Sequence, residues 1–306
     1  VSALPYNCGV TDLAPTRFRL DIAYQGTGFN GWARQPGART VQGEIEAALA
    51  TIFRRHGDAP RLTVAGRTDA GVHAVGQVAH VDLSPEQVAS LVRKRGNTVP
   101  SDAATVLGRR INGILGPVAD IVLGSVTVAP AGFDARFSAI WRRYEYRVAD
   151  TRSTRDPLQR HRTTWVPVEL DEAAMDAAAL SLLGLHDFAS YCKPRIGATT
   201  IRTLLTFGWR RDDNGVLVAE VKADAFCHSM VRSLVGACVA VGEGKLELDA
   251  VAELRDERRR GSNLFRVMPA RGLTLIQVGY PDDVGLAIRA EQTRALRSLQ
   301  PASAER

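Results

Sequence analysis

The six residues Gly66-Arg-Thr-Asp-Ala-Gly71 constrain this chain most, because apolar, strand-like runs close on them from both sides within the stretch 64–80. Two glycines around a cation and an acid interrupt helix and strand alike. The segment is therefore a loop at the end of a sheet, where rigid scaffolds hold their reactive side chains. It carries one carboxylate, Asp69, two residues after the fixed positive charge of Arg67. The bland use of the same residues is a turn in which Thr68 and Asp69 hydrogen-bond their own backbone. Local chemistry alone favours that turn, so the decision rests on the rest of the chain.

Apolar and polar residues alternate over 18–24, predicting a strand with one buried face. Residues 26–32 form a glycine-rich loop with two aromatics, which reads equally as a connector or a ligand loop. Thr40 as N-cap, followed by Val41, Ile45, Ala48, Leu49 and Ile52 at helical spacing, predicts a helix over 40–55. A second strand is expected over 76–83, a short helix over 107–114 and a strand over 120–128. From Arg143 the pattern alternates again, with Tyr144, Tyr146 and Val148 on one face. Residues 151–162 read as an exposed linker, Asp171 opens a helix to about Leu183, and 184–191 read as a turn. Asp212-Asp-Asn-Gly215, between strands at 204–210 and 216–222, is the strongest hairpin signal in the chain. Phe226, Met230, Leu234, Ala237, Cys238 and Val241 make a helical stripe from which Arg232 departs, and 273–280 read as a last strand. Strands interleaved with helices in this way give an α+β architecture, a sheet covered by helices.

At 306 residues and 45% apolar content the chain builds one large domain or two. A net charge of +6 favours a polyanionic partner over a small acidic metabolite. Cys8, Cys192, Cys227 and Cys238 show no C-x-x-C spacing, so neither a zinc site nor a disulfide framework is indicated; reduced thiols and a cytoplasmic location are expected. The longest apolar run, 226–241, contains His228 and Arg232, which argues against a membrane span.

Eight segments then occur in one order: Tyr24-Gln-Gly-Thr-Gly-Phe-Asn-Gly-Trp32, Thr40-Val-Gln-Gly43, Gly66-Arg-Thr-Asp-Ala-Gly-Val-His73, Phe133-Asp-Ala-Arg-Phe137, Arg143-Tyr-Glu-Tyr146, Gly184-Leu-His-Asp-Phe188, Met230-Val-Arg232 with Gly236, and Gly272-Leu-Thr-Leu275. In this combination the chain resembles the tRNA pseudouridine synthases of the TruA type over roughly residues 17–281. The resemblance implies the pseudouridine synthase fold: two ferredoxin-like or RRM-like α+β halves in one continuous, mixed, mainly antiparallel sheet flanked by helices, with a central cleft. The expected divisions are a leader (1–15), an N-terminal half (16–137, with an insertion at 84–102), a C-terminal half (138–281) and a tail (282–306). It also implies isomerisation of uridine at positions 38, 39 and 40 of the tRNA anticodon stem-loop, without cofactor or metal, by a homodimer that one tRNA spans.

By the same resemblance Asp69 is the catalytic aspartate, Tyr144 touches the target uracil, and Arg67, Arg232 and Leu273 line its pocket. Arg34, Arg39, the cluster Arg93-Lys94-Arg95, and Arg142 with Arg143 are the candidates for gripping RNA phosphates. Gln25, standing where the family usually has Asp, and the long 84–102 connection depart from the family pattern. Two other readings compete: a non-catalytic RNA-binding protein on the same fold, and a hydrolase or metal enzyme using Asp69, His73 and His80. The enclosed carboxylate argues against the first, and the lack of a recognised ligand spacing against the second.

Overall fold

The computed structural model describes residues 14–92, 102–193, 199–257 and 263–294. Its elements in chain order are β1 (Thr16–Tyr24), α1 (Val41–Phe53), β2 (Thr63–Val64), β3 (His73–Leu83), α2 (Pro85–Val92), α3 (Ala103–Leu115), β4 (Ile121–Val128), β5 (Trp141–Ala149), β6 (Thr164–Trp165), α4 (Glu172–Leu180), β7 (Gly184–Asp187), β8 (Ile201–Arg211), β9 (Leu217–Ala223), α5 (Met230–Gly242), α6 (Leu248–Glu257), β10 (Leu273–Gly279) and α7 (Leu286–Arg294). Side-chain caps open several helices: Thr40 Oγ1 accepts from Gly43 N–H at 3.2 Å, Asp102 from Thr105 N–H at 2.9 Å, and Asp171 from Ala174 N–H at 3.0 Å. Each cap satisfies an otherwise orphan donor, worth about 1 kcal/mol.

The strands form one sheet in the order β4-β1-β3-β10-β5-β9-β8-β7, with β2 added on β3 and β6 on β5. Every ladder is antiparallel except β10 with β3 and β5 with β6. The sheet is thus mixed and mainly antiparallel, as the resemblance implies. Strand β10, last in sequence, lies between β3 and β5 and joins the early strands to the late ones. Register carries one row of side chains across the whole sheet: Ile121, Tyr24, Ala74, Leu275, Tyr144, Val221 and Phe207 are successive cross-strand partners. All are buried, so the sheet has a continuous apolar face through the seam. Helices α1 and α3 pack together, α3 also against β4, while α4 packs on α5, α6 and β8.

Four expectations change in detail. Residues 184–191 are the edge strand β7, paired with β8, and a short helical turn rather than a turn alone. Helix α5 begins only at Met230, because Ser229 before it adopts a left-handed backbone (φ 63°). Phe226 packs edge-on against Tyr144 instead, ring centroids 5.1 Å apart. In the tail, α7 docks through Leu286 and Ala290, and Ser138 Oγ donates to Leu286 O at 3.1 Å. Within 84–102, α2 occupies the first part, and Arg93, Lys94 and Arg95 lie outside the described residues. No helix among the described residues is long and apolar enough to cross a membrane.

Candidate active site

The Gly66–Gly71 loop connects β2 to β3 at the β10 seam, and hydrogen bonds fix it along its length. Gln77 Nε2 donates to Gly66 O at 2.9 Å and to Tyr24 OH at 3.2 Å, and Tyr24 OH bonds Thr68 Oγ1 at 2.8 Å. Gln77 is wholly buried, so it spends its donors on the loop and on Tyr24. The glycine-rich loop at 26–32 braces the other side: Trp32 N–H donates to Thr68 O at 3.1 Å, and Gly71 N–H to Phe29 O at 3.2 Å. This close approach demands glycine. A Cβ on Gly26 would lie 2.0 Å from Val72 O, and one on Gly31, whose φ is +88°, would lie 2.8 Å from Thr68 O. The stretch that read equally as connector or ligand loop is therefore a backing plate for Asp69.

Asp69 itself points toward the start of α5. Arg232 Nη2 donates to Asp69 Oδ2 at 3.0 Å, and also to Ser229 Oγ at 2.9 Å; that Oγ stands 3.4 Å from Asp69 Oδ2. His228 Nε2 is 3.5 Å from Asp69 Oδ1 and adds a full positive charge when protonated. Arg232 is anchored in turn by Nη1 to Met268 O at 3.3 Å. The positive end of the α5 dipole adds about half a charge of the same sign. With its side chain 30% exposed, Asp69 is a carboxylate reachable from solvent and surrounded by donors.

Tyr144 closes the site from β5. Burial, with the neighbouring Tyr24 and the Asp69 charge adding to it, holds its hydroxyl well above the ordinary value of 10, so it remains a neutral phenol. Leu273 is buried at the start of β10, opposite Tyr146, and Arg67 is exposed with no bond to another described residue. The structure therefore brings Asp69, Arg232 and Tyr144 together, with Arg67 at the loop and Leu273 on the adjoining strand. Sequence reasoning missed Ser229 and His228. Their one signal was adjacency to Met230-Val-Arg232, since a left-handed serine leaves no periodic trace.

Among the proposed phosphate contacts, Arg142 is corrected. It is buried and donates to three carbonyls, Asp224 at 2.9 Å, Ala65 at 2.8 Å and Arg136 at 3.2 Å, so it ties β5 to the base of the Asp69 loop. Arg39 forks onto Asp120 and lies over the Phe29 ring at 4.2 Å. Arg143 reaches Glu220 at 3.3 Å, and Arg34 is 67% exposed, 3.9 Å from Glu46.

The two histidines of the metal reading are backbone clamps. His73 Nδ1 accepts from Gly26 N–H at 3.0 Å while its Nε2 faces the carbonyls of His161 and Arg271 at 3.0 and 3.1 Å, which defines a neutral ring. His80 Nδ1 accepts from Ala135 N–H at 3.0 Å. Burial lowers the affinity of both rings for a second proton. The cysteine expectation is overturned at one point: Cys192 and Cys227 form a disulfide with Cα atoms 5.8 Å apart. A separation of 35 residues hid it, because the turn after β7 and the start of α5 meet only once β8 and β9 have folded back.

A family model described as tRNA pseudouridine synthase matches residues 178–281, from within α4 to just past β10. With the mixed sheet and a carboxylate set among cations at its seam, the class is an RNA-modifying isomerase. The chain is 70% identical over 290 residues to the tRNA pseudouridine synthase A of Leifsonia xyli subsp. xyli, covering 95% of this chain and 100% of that protein. It is 53% identical to the enzyme of that name from Frankia casuarinae, over 92% of this chain and 95% of that one, and 51% identical to that of Cutibacterium acnes over the same shares. The chain belongs to the tRNA pseudouridine synthase A family.

Proposed function

We propose that this protein converts uridine to pseudouridine at positions 38, 39 and 40 of the tRNA anticodon stem-loop, with Asp69 as the reacting carboxylate and no cofactor. The observation that carries the reading is the ion pair of Asp69 with Arg232, on a loop braced from both sides and beside Tyr144. The reaction breaks the C1′–N1 glycosidic bond, turns the uracil and rejoins it through C5, after which C5 loses a proton. A carboxylate that stays ionised while enclosed suits the first step, either by attack or by removing a ribose proton. Arg232 and the α5 terminus offset the cost of enclosing it. Tyr144, a neutral phenol, stacks on the uracil and relays the C5 proton.

A stacked uridine has to be flipped out first, at a cost of a few kcal/mol. Basic side chains on the phosphates offset this, Arg34 and Arg39 being the most open of the described candidates. The family resemblance supports a cytoplasmic homodimer that one tRNA spans. The test is a map of pseudouridine along one tRNA transcript before and after treatment with the purified protein. New pseudouridine confined to positions 38–40 is the expected result; pseudouridine elsewhere, or none, overturns the assignment.

A further inference from the structure

The disulfide links a fixed point of the fold to the segment that supplies Asp69 with its partners. Cys192 follows the short helical turn Ala189–Tyr191, which is fastened to α6: Ser190 Oγ donates to Leu254 O, and Tyr191 OH to Val251 O at 2.6 Å. The Tyr191 ring also stacks on Phe265 at 5.4 Å. Cys227, by contrast, lies between β9 and α5 in a stretch that is neither strand nor helix. Immediately after it come His228 and Ser229, both against Asp69. A hydrogen bond from Lys193 N–H to His228 O, 2.9 Å, runs beside the disulfide between the two segments. Ser229 holds the one left-handed backbone of any non-glycine among the described residues, a conformation that persists only where its surroundings enforce it. The sulfur–sulfur bond is a covalent part of that enforcement.

Exposure separates the two sulfurs' roles. Cys192 is 6% exposed, whereas Cys227 is partly open, so Cys227 is the one a small reagent meets. Cys238 is fully buried within α5 and takes no part.

We propose that Cys192 and Cys227 are a reversible thiol–disulfide exchange site for a low-molecular-weight disulfide and its thiol, and that its state sets how firmly His228 and Ser229 are held on Asp69. In the oxidising direction the Cys227 thiolate attacks one sulfur of the small disulfide, RSSR. A Cys227–S–S–R bond forms, the R–S–S–R bond breaks, and RS⁻ leaves. The Cys192 thiolate then attacks the Cys227 sulfur, forming the Cys192–Cys227 bond and expelling the second RS⁻. The two thiol protons pass to the two RS⁻ ions. Two electrons move from the protein dithiol to the small disulfide, giving one protein disulfide and two RSH. Attack of RS⁻ on Cys227 runs the sequence backwards. The exchange stands on placement alone, while its effect on turnover rests on Asp69 being the reacting carboxylate.

The full chain carrying Cys8→Ser, which removes the remaining cysteine that lies outside the described residues, is equilibrated in a series of reduced and oxidised glutathione. Each sample is quenched with an alkylating reagent, mapped by peptide mass, and assayed for pseudouridine formation on one tRNA transcript. The cross-linked Cys192–Cys227 peptide is expected to rise and fall reversibly along the series. The oxidised form is expected to exceed the reduced form in kcat/KM by about threefold or more, since small displacements of catalytic partners are costly in rate. Cys192→Ser and Cys227→Ser should remain at the reduced rate at every ratio. Two freely alkylated thiols throughout would overturn the site, and a bond that forms with no change in rate would overturn the coupling. Absence of pseudouridine from both forms would instead overturn the activity reading and the coupling with it, while the peptide map still decides the exchange site.

Discussion

Replacing Arg232 by Met removes the cation on Asp69 while keeping a similar apolar stem. At 3.0 Å two unit charges attract by about 5–6 kcal/mol at an effective dielectric of about 20, and by about 1.4 kcal/mol in water. The side chains are 18% and 30% exposed, which places the pair between these limits. A value of about 2–3 kcal/mol also matches what charged hydrogen bonds contribute. At about 1.4 kcal/mol per factor of ten, kcat falls roughly 30- to 150-fold. The affinity for tRNA should change little, because the phosphate grip lies on other residues. Arg232→Lys should rescue poorly, since one guanidinium serves Asp69, Ser229 Oγ and Met268 O together and an ammonium on a flexible stem does not. Single-turnover pseudouridine formation with saturating enzyme separates the chemical step from binding. A kcat for Arg232→Met within about threefold of the parent, which is less than 1 kcal/mol, would refute the role given to the ion pair.

Gly26→Ala should destabilise the protein by about 1–3 kcal/mol in urea unfolding and depress activity further, because its Cβ overlaps Val72 O beneath the Asp69 loop; an unchanged midpoint would contradict the bracing role of residues 26–32. The His73 clamp makes stability depend on pH. Burial first, and the neighbouring His161 and Arg162 charges with it, lower its folded pKa below the ordinary 6.5, so its contribution is complete above that value and is lost as pH falls through the folded one. His73→Asn, whose Oδ1 replaces the Nδ1 acceptor for Gly26 N–H, should flatten that part of the acid limb. Stability profiles of the two proteins that run parallel below pH 6.5 would show that His73 does not supply it.

What was legible in the sequence was local. Alternation marked β1 and β5, the hydroxyl and carboxylate caps marked the starts of α1 and α4, and Asp212-Asp-Asn-Gly215 marked the β8–β9 hairpin, where Asp212 Oδ1 accepts from the N–H groups of both Asn214 and Val216. The ordered motifs carried Asp69, Arg232 and Tyr144 further than any local pattern. What was not legible depends on distant pairing. Nothing near Leu273 shows that β10 slots between β3 and β5, and a 35-residue gap conceals the cysteine pair. Arg142 is a different case, because its signal was present. The period of two that buries Tyr144 and Tyr146 also turns Arg142 inward, yet a surface reading of arginine outweighed the register. The left-handed Ser229 was hidden because helical periodicity through 226–241 continues across the residue where the helix in fact starts.

The central claim is that Asp69 is the group that reacts. Asp69→Asn keeps the shape of the side chain and removes its charge, so it tests that claim with little disturbance of the loop held by Thr68, Gly66 and Gly71. Measured on an anticodon stem-loop transcript by chemical mapping, the variant is expected to form no pseudouridine while binding the transcript with measurable affinity. Conversion at the parent rate would contradict the account.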